Sequence, residues 1–170
     1  MKRTFLPAAL IVFAACTFAF GQKDGKPLVE TGFKWSVDNA AGCQTRWQSK
    51  QASASSMGDK RNADFGLGYC QLSANDLAGA EASFLKVVDR NPDAFFPNYL
   101  VGYSMYKSGK PSLALGFLEK AMTLADKAED RDYGFLAHFW AGVAGNEAGK
   151  LLVSISAISS AKTKYKGIKG

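Results

Sequence analysis

Two stretches of this 170-residue chain align without a gap. Leu67–Asp93 lies over Val101–Lys127, a step of 34 residues. Leu67-Gly68-Tyr69 falls on Val101-Gly102-Tyr103, and Asn75 falls on Gly109. Ala80 then falls on Ala114, Phe84 on Leu118 and Val87 on Ala121. Nothing else in the sequence constrains the fold as tightly. A unit this short cannot bury its apolar face alone, so neighbouring units must stack.

Each unit reads as two helices. Helix-length apolar segments alternate with short breaks from Asn62 onward. The first runs from about Asn62 to Ser73, and the break Ala74-Asn75-Asp76 supplies natural caps. The second runs from about Leu77 to Asp89 and ends at Asn91-Pro92-Asp93, because proline lacks an amide hydrogen and disfavours helix before it. The third covers about Ala94 to Ser108, with Gly109 suited to a left-handed end and Pro111 to the next first turn. The fourth reaches about Lys127, the fifth spans about Arg131 to Ala148, and the sixth about Leu151 to Lys162. No segment between Asp59 and the tail reads as a strand.

The step and the order of residues resemble the tetratricopeptide repeat, which has a large apolar residue and a glycine on its first helix and a small residue early on its second. Pro92 stands where that family's closing proline is expected. A third copy follows at a step of 40, from Gly102 to Gly142, through Ala141, Gly149, Ser154, Ile158 and Ala161. Ser154 departs from the family's alanine and Asp126 from its second proline. The resemblance implies an all-α, right-handed helix-pair solenoid of about three repeats over residues 61–162. Gly68 and Gly102 are then the points where the second helix of each pair comes close, with Phe84 and Leu118 filling the space between.

In that family the first helix of each pair lines an inner groove. Phe96, Tyr99, Tyr103 and Tyr106 are spaced 3, 4 and 3 apart and form one face, separate from Val101 and Met105. Phe65 and Tyr69 join that face from the first repeat and Phe139 from the third, with Lys107 at its edge. An aromatic groove with polar tips suits a peptide or a protein segment. The alternative is that these rings pack on each other or on the segment 22–60, with Trp35 and Trp47 filling the groove.

The chain opens with Lys2 and Arg3, an apolar run from Phe5 to Phe20, and Ala19-Phe20-Gly21 before the polar Gln22. This is the layout of a signal peptide over residues 1–21, cleaved after Gly21. The run is shorter than the roughly 20 residues of a membrane span. Phe13-Ala14-Ala15-Cys16 also resembles a bacterial lipobox, which would place an acylated Cys16 at the mature end. Export to a periplasmic or secreted location is expected on either reading. Segment 22–60 is weakly patterned, with one short helix expected from about 44 to 57, lowered by the run Ser53-Ala54-Ser55-Ser56. In an oxidising compartment Cys43 and Cys70 are able to bond, and two buried free thiols are the alternative.

The net charge of +6 falls to +4 without Lys2 and Arg3, and Lys162, Lys164, Lys166 and Lys169 account for the remainder. The body is near neutral, so nucleic acid is not an expected partner. The tail 163–170 reads as a basic, frayed end. No hydrolase, phosphate-loop or zinc motif is present. His138, between Leu136 and Phe139, reads as a partly buried helix position, and Asp130, Arg131 and Asp132 as a solvated turn. The expected function is therefore a non-enzymatic adaptor or scaffold without cofactor or metal, binding another protein in the groove. The runner-up is a structural subunit or lipoprotein of an envelope assembly that uses its outer faces.

Overall fold

The computed structural model describes residues 40–129 and 131–164. The signal and lipobox motifs, Trp35, Asp130 and residues 165–170 lie outside the described residues, and the side chains of Arg131 and Asp132 are likewise not described. The fold is all-α. Among the described residues seven helices follow one another: α1 Ala40–Ser53, α2 Met57–Ser73, α3 Leu77–Arg90, α4 Phe95–Lys107, α5 Pro111–Lys127, α6 Arg131–Glu147 and α7 Leu151–Lys164. Each packs chiefly on the helix before it and the helix after it. None of the described helices is long and apolar enough to cross a membrane.

The start of the row differs from the sequence expectation. α1 begins at Ala40 rather than about 44 and ends at Ser53. The serine run is the break between two helices, not the interior of one. Ser56 starts α2 with a capping box: its hydroxyl accepts the Asp59 amide at 3.0 Å, and the Asp59 carboxylate accepts the Ser56 amide at 3.3 Å. α2 therefore begins at Met57, a turn before the expected Asn62.

α1 lies on α2 as a lid. Cys43 and Trp47 are buried, and Cys43 is bonded to Cys70 of α2 with their Cα atoms 5.7 Å apart. The Trp47 ring lies over Gly66, where any Cβ would collide with it, and Lys50 Nζ sits 4.6 Å from the ring centroid. Trp47 thus fills the α1–α2 seam. Asp64 is buried nearby and receives hydrogen bonds from Gln51 of α1 and Arg90 of α3.

Three helix pairs follow, α2–α3, α4–α5 and α6–α7, and the same local devices recur in each. A Cβ at Gly68 would meet Phe84 at 2.9 Å, one at Gly102 would meet Leu118 at 2.6 Å, and one at Gly142 would meet Ile158 at 2.5 Å. The first helix of each pair ends on a left-handed residue, Asn75 (φ 61°), Gly109 (φ 75°) and Gly149 (φ 71°). The next amide then reaches back five residues, Asp76 to Gln71 at 2.8 Å, Lys110 to Met105 at 3.0 Å and Lys150 to Gly145 at 2.7 Å. That bond satisfies a terminal carbonyl and turns the chain sharply. Buried Asn98 shapes the α3–α4 connection by donating to the carbonyls of Pro92 (2.9 Å) and Ala94 (2.7 Å). The core is continuous along the row, from Cys43 and Trp47 through Phe84, Val101 and Leu118 to Ala144 and Ala157.

Candidate binding groove

α4 and α6 approach each other across α5. Their facing sides carry an aromatic row. Phe95, Tyr99 and Tyr103 stand one turn apart on α4, with ring centroids 5.7 Å and then 6.4 Å apart and near-parallel planes. Trp140 of α6 closes on the end of this stack, edge-on to Tyr103 at 5.1 Å and tilted to Tyr106 at 5.3 Å. At the other end Tyr133 of α6 meets Phe96 edge-on at 4.6 Å and Phe95 at 5.6 Å. Phe139 meets Trp140 edge-on at 5.3 Å and lies 6.3 Å from Phe135 along α6. Edge-to-face and offset pairs of this kind add about 0.5–1.5 kcal/mol each beyond area burial.

The expected face thus divides into floor and rim. Tyr99 and Tyr103 are floor, 3% and 5% exposed. Tyr69 is also buried, on α2 at the register of Tyr103. Phe96 and Tyr106 are half-buried, Phe139 is 38% exposed and Lys107 is exposed, so these four make the accessible rim. Phe65 is buried with its ring 5.6 Å from Phe84, against the partner helix α3.

Four rings of the row, Phe95, Tyr133, Phe135 and Trp140, were not part of the sequence expectation. Phe95 was legible from its spacing of 4 to Tyr99. Phe135 was legible from the 40-residue step to Phe95. Trp140 had no such signal, because its register partner on α4 is Leu100, a plain core residue.

One polar bridge spans the row. The Tyr106 hydroxyl donates to Glu147 Oε1 at 2.6 Å, tying α4 to the end of α6. Burial, and then the Glu147 carboxylate, push the Tyr106 hydroxyl up from 10.0 to about 12, so it remains a donor at physiological pH. The Trp140 indole Nε1 is buried and has no hydrogen-bond partner among the described residues. A buried donor of that kind is uncommon in folded proteins.

His138 lies apart from this row. It is buried, and its Nε2 is 3.1 Å from Asp126 Oδ1, while Lys164 Nζ reaches Asp126 Oδ2 at 2.7 Å. The arrangement links α6 to the ends of α5 and α7. No protein-family model matches the sequence, and no curated protein matches it.

Proposed function

We propose that this protein is an exported, tetratricopeptide-like helix-pair solenoid that binds a segment of another protein along the aromatic row between α4 and α6. The recurrence of one glycine contact, one left-handed turn and one five-residue back-bond in three successive pairs supports the repeat reading. The binding reading is carried by one observation: the row is floored by Tyr99 and Tyr103 and stays open along Phe96, Tyr106 and Phe139. A bound peptide would lay apolar side chains on Phe139 and Phe96. Lys107 would favour an acidic residue at one end.

The test is affinity capture from the source cells with the wild type and with a Phe139→Ser, Lys107→Glu variant. Both sites are exposed, so the fold is kept. Removing Tyr99 and Tyr103 would instead hollow the core, because both are buried. Loss of a specific partner from the rim variant is the expected result. An unchanged set of partners would point to the second reading, which the burial of Tyr99 and Tyr103 favours: a structural subunit of an envelope assembly whose groove is closed by its own side chains. Mass spectrometry of the mature amino terminus tests the location, with Gln22 expected after simple cleavage and an acylated Cys16 for a lipoprotein.

A further inference from the structure

The two ends of the helix row are finished differently. α1 turns Cys43 and Trp47 onto α2 and leaves Thr45, Arg46, Gln48 and Lys50 outward. A polar outer face is what a terminal element of a stacked fold needs. α7 turns the small residues Ser154, Ala157 and Ala161 inward, with Val153 half-buried against the core and Ile158 lying over Gly142 of α6. It leaves Leu151 59%, Leu152 85% and Ile155 65% exposed, with Ile158 48% exposed at the edge of its contact with α6.

Register shows what this face corresponds to. The 40-residue step places Ile155 and Ile158 on Leu115 and Leu118 of α5, which are 7% and 0% exposed. α5 is packed between α4 and α6, whereas α7 packs chiefly on α6, with Lys164 also reaching Asp126 at the end of α5. Ile155 and Ile158 therefore repeat apolar positions that α5 closes between two neighbours, while Leu151 and Leu152 fall on Pro111 and Ser112 and extend the apolar patch beyond that register. The C-terminal half of α7 is already polar: Ser159 and Lys162 stand where α5 has Glu119 and Met122. The open patch is confined to the first two turns.

Charge narrows the occupant. Lys150 and Lys162 bracket the patch, both exposed, and α7 contains no acidic residue. A second copy fits poorly. Head-to-tail stacking would bring α1, with Arg46 and Lys50 and no acidic residue, against the same lysines. Antiparallel pairing of two α7 helices would set Lys162 of each beside the Lys150 end of the other. A lipid surface fits poorly too, because the patch runs only from Leu151 to Ile158, about 10 Å of helix, and lacks the long apolar face and aromatic anchors of an interfacial helix.

We propose that Leu151, Leu152, Ile155 and Ile158 form a second docking site, which seats an amphipathic helix of another protein whose apolar stripe is flanked by acidic residues. The helix takes the place of the next first-helix in the row and continues the packing that α6 makes on α5. This site is independent of the aromatic groove.

Two synthetic helices of equal length test it. They share one Leu/Ala stripe, flanked by Glu in one and by Lys in the other. Each is titrated into the full chain, disulfide intact, by fluorescence anisotropy. The Glu-flanked helix is expected to bind at least tenfold more tightly, with an advantage that shrinks as salt is raised. Leu152→Ser with Ile155→Ser abolishes the binding, and Lys162→Glu reduces the preference between the two helices. Near-ultraviolet circular dichroism checks that the variants are folded, and Phe139→Ser leaves this binding unchanged, which separates it from the groove. Equal binding of the two helices, or binding retained in the double-serine variant, overturns the proposal. So does a failure of both helices to bind. If phosphatidylglycerol vesicles bind in a Leu152- and Ile155-dependent way while neither helix does, the face belongs to a membrane. Sedimentation that shows self-association lost in the same variant assigns it to a second copy.

Discussion

Asp64 carries a carboxylate into the seam where α1, α2 and α3 meet, and the surroundings answer it with Arg90 and Gln51. A buried carboxylate is tolerable only when paired and hydrogen-bonded, and stripping one partner from such a pair costs about 3–5 kcal/mol. Asp64→Ala should fall at the low end, about 3 kcal/mol, because the Arg90 side chain keeps 27% of its exposure and can turn to water. Urea denaturation monitored by far-ultraviolet circular dichroism measures it, and a loss under about 1 kcal/mol would mean the pair contributes nothing net. Tyr106 gives a pH-dependent counterpart. Its hydroxyl ionises near 10.0 when free of the fold and near 12 within it, so the folded chain holds the extra proton in that window. Stability due to this group is intact below pH 10.0 and declines as pH rises through about 12. Tyr106→Phe should flatten that decline while costing about 1 kcal/mol at neutral pH for the lost bond to Glu147. Thermal unfolding at a series of pH values compares the two slopes, and identical slopes would show that the hydroxyl is not the group responsible.

At the scale of elements, the interior helices were legible in the sequence with their ends, and the first only as a short helix displaced by about four residues. α3, α4 and α5 are bounded by Asp76, Pro92, Gly109 and Pro111, residues whose backbone chemistry restricts where a helix can begin or end. α1 has no such punctuation. It is held by partners distant in sequence, the Cys43–Cys70 bond and the bed that Gly66 opens for Trp47. The aromatic row is similar: spacing along α4 was readable, but the contribution of Trp140 depends on how α6 lies across α5, which local pattern does not encode. The dependence of α1 on its bond is measurable. The bond closes a loop with a sequence separation of 27, and the chain-entropy estimate for such a loop is about 3.5 kcal/mol. Cys43→Ser with Cys70→Ala should lose about 2–4 kcal/mol. It should also expose Trp47, seen as a red-shifted, quenchable emission, and admit protease first between Ser53 and Met57. Gly116 offers a gain instead. It is an exposed glycine inside α5 with open space around its Cα, so Gly116→Ala should add about 0.5–1 kcal/mol by restricting the unfolded chain. A shift in urea midpoint at unchanged slope reads it.

The whole molecule is a row in which packing passes from one helix to the next, with α4 and α6 meeting again across α5. In such a fold stability is roughly a sum of local terms and neighbour interfaces, so each helix is held by what flanks it. Among the described helices the first and the last each have a single main neighbour, but they are not equivalent. α1 is bonded covalently to α2 through Cys43 and Cys70. α7 meets α6 through Ser154, Ala157 and Ala161 with Val153 and Ile158 beside them, while Leu151, Leu152 and Ile155 are exposed. Its last turn is tied by one exposed ion pair, Lys164 to Asp126, of the kind worth at most about 1 kcal/mol. Local opening should therefore begin at α7 and pass inward, leaving α3 to α5 for the global transition. Native-state hydrogen exchange should show protection in α7 at least tenfold below that of α4, with α1 close to α2 while the disulfide is intact. Reduction should drop α1 toward the level of α7 and leave α4 and α5 ahead of both. The acidic helix proposed to dock on Leu152 and Ile155 should raise protection in α7 first and most, since a ligand stabilises the element it covers by mass action. Uniform protection from α1 to α7 would instead describe a single cooperative unit, in which the end of the row is held as firmly as its middle.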